Sequence, residues 1–128
     1  MTKKSAMIRV VPAVMFLSAA VLPAYAHHSE VMFAPDREVL LTGTVKEFRY
    51  TNPHSYIQIV VPREGGQLVL WNIETDPPIA LDRAGIESTT LQPGEKVTVR
   101  ANPLKSGRPG GRLIDVRKAD GTVVSAPD

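Results

Sequence analysis

Three histidines are the side chains of this chain best suited to metal chemistry. His27 and His28 are adjacent, and His54 ends the sequence Thr51-Asn52-Pro53-His54. Imidazole nitrogens bind Cu(II), Ni(II) and Zn(II), and a site made only of nitrogen donors favours Cu(II). The chain has no cysteine, which excludes a thiolate zinc site, a disulfide and a thiol nucleophile. The histidines therefore predict a metal site, with copper as the first choice.

The segment before His27 has the pattern of a secretory signal peptide. A basic start is followed by a mostly apolar stretch over residues 10–22, and Ala24 and Ala26 then form an A-x-A cleavage site. The apolar stretch is shorter than the roughly 20 residues that a membrane span needs. We therefore predict cleavage after Ala26, a mature chain that begins at His27, and a periplasmic or secreted bacterial location without a membrane span.

Cleavage at this site gives His27 a free α-amino group. An α-amino group has an unperturbed pKa of about 8, so a metal ion can displace its proton at neutral pH. The amine and the ring of His27 then form one chelate, to which His28 adds a second imidazole. His54 completes the predicted nitrogen site if the segment after His28 reaches back to it.

The charge of the mature chain argues against nucleic-acid binding. The full sequence has 15 Lys and Arg against 13 Asp and Glu, and three of the basic residues precede His27. The mature chain therefore has a net charge of −1 with neutral histidines, so it lacks the basic excess of a nucleic-acid-binding domain. About 100 residues form one domain with a sufficient core.

The apolar pattern predicts an all-β fold. Period-2 alternation indicates five strands with a short helix after the third, opened by Asp76 as the N-cap. This order predicts a small five-stranded OB-like barrel, with an open β-sandwich as the alternative. Val39, Leu41 and Val45 have one parity and Phe48 the other, which indicates a bulge, and Gly43 is its predicted site. The predicted organisation is a signal peptide, an extended N-terminal arm, the barrel and a tail, over residues 1–26, 27–38, 39–124 and 125–128.

The second and third strands form a predicted hairpin that places a carboxylate beside His54. Both strands have odd-numbered apolar residues, so paired residue numbers must sum to an even value. Pairing Val61 with Gln67 sets Ile57 opposite Trp71 and His54 opposite Glu74, and a slip by two residues keeps the same faces. We therefore expect His54 and Glu74 to be neighbours, with Glu74 orienting the imidazole behind a metal site. A polar pair that only pins the hairpin end remains the alternative.

A second group of residues predicts a site for an organic ligand. Tyr56 and Asn72 lie on the predicted outer face of the hairpin, and a flexible basic loop joins the last two strands. Such loops meet ligands in OB folds, and the basic residues favour an anionic ligand such as a sugar acid or a phosphate. The candidate ligand-binding residues are Asn52, Tyr56, Asn72, Lys105, Arg108 and Arg112. A solvated loop without a ligand is the alternative for its basic residues.

Several short motifs together resemble one family of small exported bacterial proteins catalogued as a domain of unknown function. The motifs are His27-His28-Ser29, Gly43-Thr44-Val45, Asn52-Pro53-His54, Trp71 with Glu74, Pro93-Gly94 and Gly110-Gly111. The resemblance covers nearly the whole mature chain. It implies an exported β-rich domain and carries no activity with it.

No serine, carboxylate or histidine has the spacing of a catalytic triad or pair, so we expect a binding protein. An enzyme is the alternative, since copper sites at an N-terminal histidine can be oxidative. The first hypothesis is Cu(II) binding through His27, His28 and His54. The second is a binding module for an oligosaccharide or another cell-envelope ligand. The third is a structural partner of another envelope protein.

Overall fold

A computed structural model describes residue 2 and residues 32–127 of the chain. The predicted signal peptide, its cleavage site, His27 and His28 lie outside the described residues. Within the part that is described, no helix is long and apolar enough to cross a membrane.

The described part of the chain contains six strands and one short α-helix. The strands are β1 Val39–Arg49, β2 Tyr56–Pro62, β3 Leu68–Glu74, β4 Lys96–Pro103, β5 Gly110–Lys118 and β6 Val123–Ser125. The α-helix, α1, spans Pro78–Arg83 between β3 and β4, and a 3₁₀ turn, Glu64–Gly66, joins β2 to β3.

The first five strands close into an OB-type barrel, as the sequence predicts. The sheet order is β3-β2-β1-β4-β5-β6, with an additional pairing of β3 with β5. That closing pairing is parallel and short, with Asn72 opposite Gly110 and Glu74 opposite Arg112. Strand β6, a sixth strand beyond the five predicted, pairs with β5.

Alternating side chains of the strands fill the barrel. Ile59, Ile73, Val99 and Val116 have no exposed surface at all. Burial of each such side chain contributes about 1.5–3 kcal/mol. Trp71, predicted in the core, is half-buried and packs against the core.

Strand β1 coils because of a close approach and a bulge. At Gly43 an added Cβ would lie 2.5 Å from the Val60 carbonyl oxygen, so only glycine allows β2 to pass this near. The bulge itself lies three residues later than predicted, between Val45 and Glu47. It shifts the parity of the inward residues and lets Phe48 pack against the core.

The β2–β3 register differs by two residues from the prediction. Ile59 lies opposite Trp71 and Tyr56 opposite Glu74, whereas the prediction paired Ile59 with Val69 and Tyr56 with Asn72. The turn explains the difference. Arg63 donates its N–H to the Gln67 carbonyl at 2.7 Å, so the loop closes one residue later in β2 and one residue later in β3. The faces are those expected, because a slip of two residues preserves them.

Helix α1 begins later than predicted. Its N-cap residue is Pro77, which makes no side-chain capping bond, and Pro78 is the first helical residue. Asp76 was predicted as the N-cap, and that assignment is wrong. Its carboxylate instead accepts a hydrogen bond from Arg112 at 2.8 Å, and a guanidinium is a stronger partner than a backbone N–H.

Tyr50 fastens α1 to the barrel. Its hydroxyl lies 3.0 Å from the carbonyl oxygens of Pro78 and Ile86, and it also donates to the Asp82 carboxylate. Burial, the Asp82 hydrogen bond, and the charges of Asp82 and Glu87 together raise the pKa of Tyr50 to about 12. The phenol therefore stays protonated and serves as a structural donor.

Candidate functional site

The turn that leads into His54 is tied to the end of β3. Ser55 is fully buried, and its hydroxyl and the backbone of Thr51 are mutually hydrogen-bonded at 3.3 Å. The backbone of Ser55 also exchanges hydrogen bonds with Thr75 and Asp76, at 2.9 and 3.2 Å. The Asn52–Pro53 peptide within the turn is cis. These bonds fix His54 beside the last residues of β3.

The side chains of His54 and Glu74 are neighbours, as predicted, although Tyr56 and not His54 lies directly opposite Glu74 in the sheet. His54 Nδ1 lies 2.6 Å from Glu74 Oε1, and the two side chains are 32% and 12% exposed. Glu74 Oε1 receives no hydrogen bond of good direction within the described residues, so the two groups touch without being aligned. The close contact occupies the Nδ1 side of the ring. His54 Nε2 is therefore the nitrogen available to a ligand or a metal ion.

Arg112 adds a cation to this pair. Its guanidinium lies 2.8 Å from Asp76 Oδ1 and 4.0 Å from Glu74 Oε1. Asp76 Oδ2 is buried and accepts no hydrogen bond within the described part of the chain. The two carboxylates of this cluster outnumber its one guanidinium, which favours binding of a cation.

A polar cleft of about 430 Å³ opens beside Glu74. Tyr56, Asn72 and Arg108, three of the residues predicted to bind a ligand, line it. The other lining residues are Met32, Phe33, Leu70, Glu74, Leu104, Pro109, Gly110 and Gly111. Burial, and then the charge of Glu74, raise the pKa of the Tyr56 phenol, so Tyr56 is a neutral donor in the cleft.

Three residues predicted to bind a ligand do not line the cleft. Asn52 is exposed in the β1–β2 turn, and Lys105 is exposed in the β4–β5 loop. Arg112 lies in β5 and holds Asp76 and Glu74. Arg112 therefore supports the His54 cluster, which the sequence did not predict, because the parallel β3–β5 pairing that brings it there is not visible in local patterns.

The start of the described chain forms one wall of the same cleft. Phe33 is buried and pairs with Leu104, and Ala34 donates its N–H to the Pro103 carbonyl at 2.9 Å. The Lys105 N–H donates to the Met32 carbonyl at 2.9 Å. The Met32 carbonyl is therefore fixed at the wall of the cleft. No periodic pattern in the sequence predicts this docking, and the apolar Phe33 is its one local signal.

A larger cavity, of about 810 Å³, lies between α1 and the C-terminal residues. Its charged lining residue is Arg83, and the others are mainly small or apolar. Although this cavity is larger, it has fewer side chains that could bind a polar ligand than the smaller cleft. The cleft is lined by a phenol, an amide, a carboxylate and a guanidinium.

Residues 32–127 contain no group of three His, Asp or Glu side chains placed to hold a metal ion. Of the three histidines predicted to bind a metal, His54 lies within residues 32–127, and His27 and His28 lie outside the described residues.

A family model matches residues 14–113 of the chain, and it describes a family of unknown function, DUF6152. The chain belongs to the DUF6152 family. This agrees with the resemblance found in the motifs of the mature chain. A search of curated proteins and a search of solved structures each gave no match. The DUF6152 match carries no activity, so a function must be argued from the cleft and from the His54 cluster.

Proposed function

We propose that this protein binds a divalent transition metal, Cu(II) first, through the amine and ring of His27, with His28 and His54 as further nitrogen donors. The observation that carries the proposal is spatial. His54 touches Glu74, Glu74 lines the cleft, and the ordered start of the arm at Met32 lines the same cleft.

The His54 cluster has the chemistry of a metal ligand and its support. Metal-bound imidazoles commonly place their second nitrogen against a carboxylate, which fixes the ring and raises its basicity as a ligand. Glu74 lies at that position, 2.6 Å from Nδ1. Arg112 in turn restrains Glu74 from the β5 side, at 4.0 Å. The excess of carboxylates over guanidinium groups favours a cation at this cluster.

The length of the arm sets how far the His27 amine can lie from Met32. Five residues separate the amine of His27 from Met32 and reach roughly 16 Å at about 3.3 Å per residue. Fixing the backbone of each residue costs about 1–2 kcal/mol of conformational entropy. Residues 32–34 are already fixed by their hydrogen bonds to the barrel, so the base of the arm adds no further cost on metal binding. The remaining cost falls on the bond to His54, so the terminal chelate contributes more affinity than His54 does.

Cu(II) titration by calorimetry of four proteins tests the proposal. They are the mature chain, the same chain with one alanine added before His27, His27→Ala and His54→Ala. We expect the greatest loss of affinity when the amine is blocked, a smaller loss for His27→Ala and the smallest for His54→Ala. If the blocked chain binds Cu(II) as tightly as the mature chain, the site is not at the terminus.

The proposal includes cleavage after Ala26 and export. The intact mass of the exported protein should correspond to a chain that begins at His27. A mass that retains Tyr25 and Ala26, or lacks His27, would remove the terminal chelate.

A further inference from the structure

The cleft opens beside Leu70, because the parallel pairing of β3 with β5 stops there. Asn72 donates its N–H to the Pro109 carbonyl at 3.4 Å, and the pairing continues from this point toward Glu74. The preceding bond of a parallel ladder would run from the N–H of residue 109 to the Leu70 carbonyl, and proline has no N–H. The β4–β5 loop therefore separates from β3 here, and residues of both line the cleft.

Three polar side chains that line this cleft have no partner in the described part of the chain. The Tyr56 hydroxyl, the Asn72 amide and the Arg108 guanidinium form no hydrogen bond to another residue within residues 32–127. A few convergent polar groups among apolar ones are typical of a small-molecule site. These side chains are therefore available to an external ligand.

The cleft has a cation at one end and a carboxylate at the other. Arg108 precedes Gly110, which lies opposite Asn72, and Glu74 lies two residues further along β3, about 6.6 Å at 3.3 Å per residue. Arg112 lies 4.0 Å from Glu74, whereas Arg108 makes no ion pair within residues 32–127. A matching ligand places an anionic group at Arg108 and hydrogen-bond donors toward Glu74.

Hydroxyl groups suit the region between the two ends. An ionised carboxylate only accepts hydrogen bonds, a protonated phenol donates one, and an amide does both. Burial, and then the charge of Glu74, raise the pKa of the Tyr56 phenol, so it remains a donor. A row of hydroxyls satisfies all three, because each hydroxyl can donate to Glu74 and accept from Tyr56 or Asn72.

The rest of the lining is apolar and can contact the C–H groups of a sugar ring. Met32 and Leu70, which are 55% and 40% exposed, line the cleft together with Leu104. The volume of about 430 Å³ lies within the range of small-ligand sites, about 300–1,000 Å³. The cleft therefore has space for at least one sugar unit.

We propose that the cleft binds a uronic-acid unit, with its carboxylate on Arg108 and its hydroxyls on Tyr56, Asn72 and Glu74. The unit can belong to a free sugar acid or to an anionic polysaccharide, which share this chemistry. The site uses residues 32–127 alone and needs no metal ion, so it does not depend on the copper proposal.

Titration of the metal-free mature chain with galacturonate, followed by the NMR signals of its backbone amides, tests the inference. We expect saturable shifts at Tyr56 and Asn72. Galactose, which lacks the carboxylate, should bind about five- to tenfold more weakly, because a hydrogen bond to a charged group contributes more than a neutral one. Tighter binding of trigalacturonate than of galacturonate would assign the site to a polysaccharide, and equal binding would assign it to the free sugar acid.

Substitutions in the cleft separate the carboxylate contact from the hydroxyl contacts. Arg108→Gln should weaken galacturonate binding by about five- to tenfold and leave galactose binding unchanged. The matched control is Arg117→Gln, which removes an exposed cation from the far part of β5 and should change neither affinity. Tyr56→Phe should weaken both sugars by the same factor, about two- to tenfold, the range for a neutral hydrogen bond.

Four results would overturn the inference. They are the absence of saturable shifts with galacturonate, equal affinities for galactose and galacturonate, equal effects of Arg108→Gln and Arg117→Gln, and tighter binding of triaspartate than of trigalacturonate. The last result would make the occupant an acidic peptide. None of the four bears on the Cu(II) titration, so the copper proposal and this inference can fail separately.

Discussion

Substitution of Gly43 by alanine should cost more stability than the size of one methyl group suggests. The new Cβ would lie 2.5 Å from the Val60 carbonyl oxygen and 3.1 Å from the Val60 carbonyl carbon. Both atoms belong to the backbone of β2, which is held by β1 on one side and β3 on the other. No side-chain rotation can relieve the contact, so β2 must move by roughly 1 Å to reach an ordinary separation.

The magnitude follows from two opposed effects. Overpacking of this kind costs about 1–3 kcal/mol. Replacing glycine by alanine also reduces the entropy of the unfolded chain, which stabilises the fold by about 0.4–1 kcal/mol. We therefore expect Gly43→Ala to lower the free energy of unfolding by about 1–2 kcal/mol, with a decrease in Tm of about 4–8 °C per kcal/mol for a domain of this size.

Gly110→Ala is the matched control. A Cβ there would lie 2.7 Å from Leu104 Cδ1, which is the mobile end of a side chain, and 3.2 Å from the Asn72 carbonyl oxygen. Rotation of Leu104 relieves the closest contact, so we expect a change within about 0.5 kcal/mol. Urea unfolding of the mature chain measures both. If Gly43→Ala is as stable as the parent, or less damaging than Gly110→Ala, the close approach of β1 and β2 is wrong.

Three further predictions concern Tyr50, Arg112 and Ile59, and the last two have a control substitution. Tyr50, with a pKa of about 12 in the fold against 10.0 unfolded, contributes stability that is complete below pH 10 and is lost as the pH rises toward 12. Tyr50→Phe should abolish this part of the alkaline loss, and absorbance titration of the phenol should show the late ionisation. Arg112→Met should cost about 1–2 kcal/mol in urea unfolding, because it leaves two half-buried carboxylates without their cation. Arg49→Met, which breaks a far more exposed pair, should cost under about 0.5 kcal/mol, and equal costs would contradict this ranking. Ile59→Ala should cost about 2–5 kcal/mol at a fully buried site, whereas Leu40→Ala, 73% exposed, should change thermal stability little.

Period-2 patterns predict this fold well because each strand of the barrel has one buried face. The odd-numbered residues of β2 and β3 pack inward as their alternation indicates, and the single helix follows β3. Register depends on the turn, and the glycines of the 3₁₀ turn Glu64–Gly66 allow more than one closure. The prediction was therefore wrong by two residues but right about the faces.

The site was predicted only in part because its walls come from distant segments. His54 lies just before β2 and Glu74 is the last residue of β3, so the hairpin pattern makes their proximity visible in the sequence. Arg112 joins them through the parallel β3–β5 pairing, which no local pattern reports. Met32 reaches the cleft because its neighbour Phe33 forms an isolated bridge with Leu104. A single pair of residues leaves no periodic signal in the sequence.

The pairing of Phe33 with Leu104 has a consequence for the order in which the chain folds. The two residues are separated by roughly seventy positions, so closing this loop carries a larger entropic cost than closing any hairpin. During synthesis from the N-terminus, Phe33 has no partner until β4 has been completed. The base of the arm must therefore dock late, because a nascent chain that stops before Leu104 lacks the residue with which Phe33 pairs. Formation of this bridge would report that the first four strands are in place.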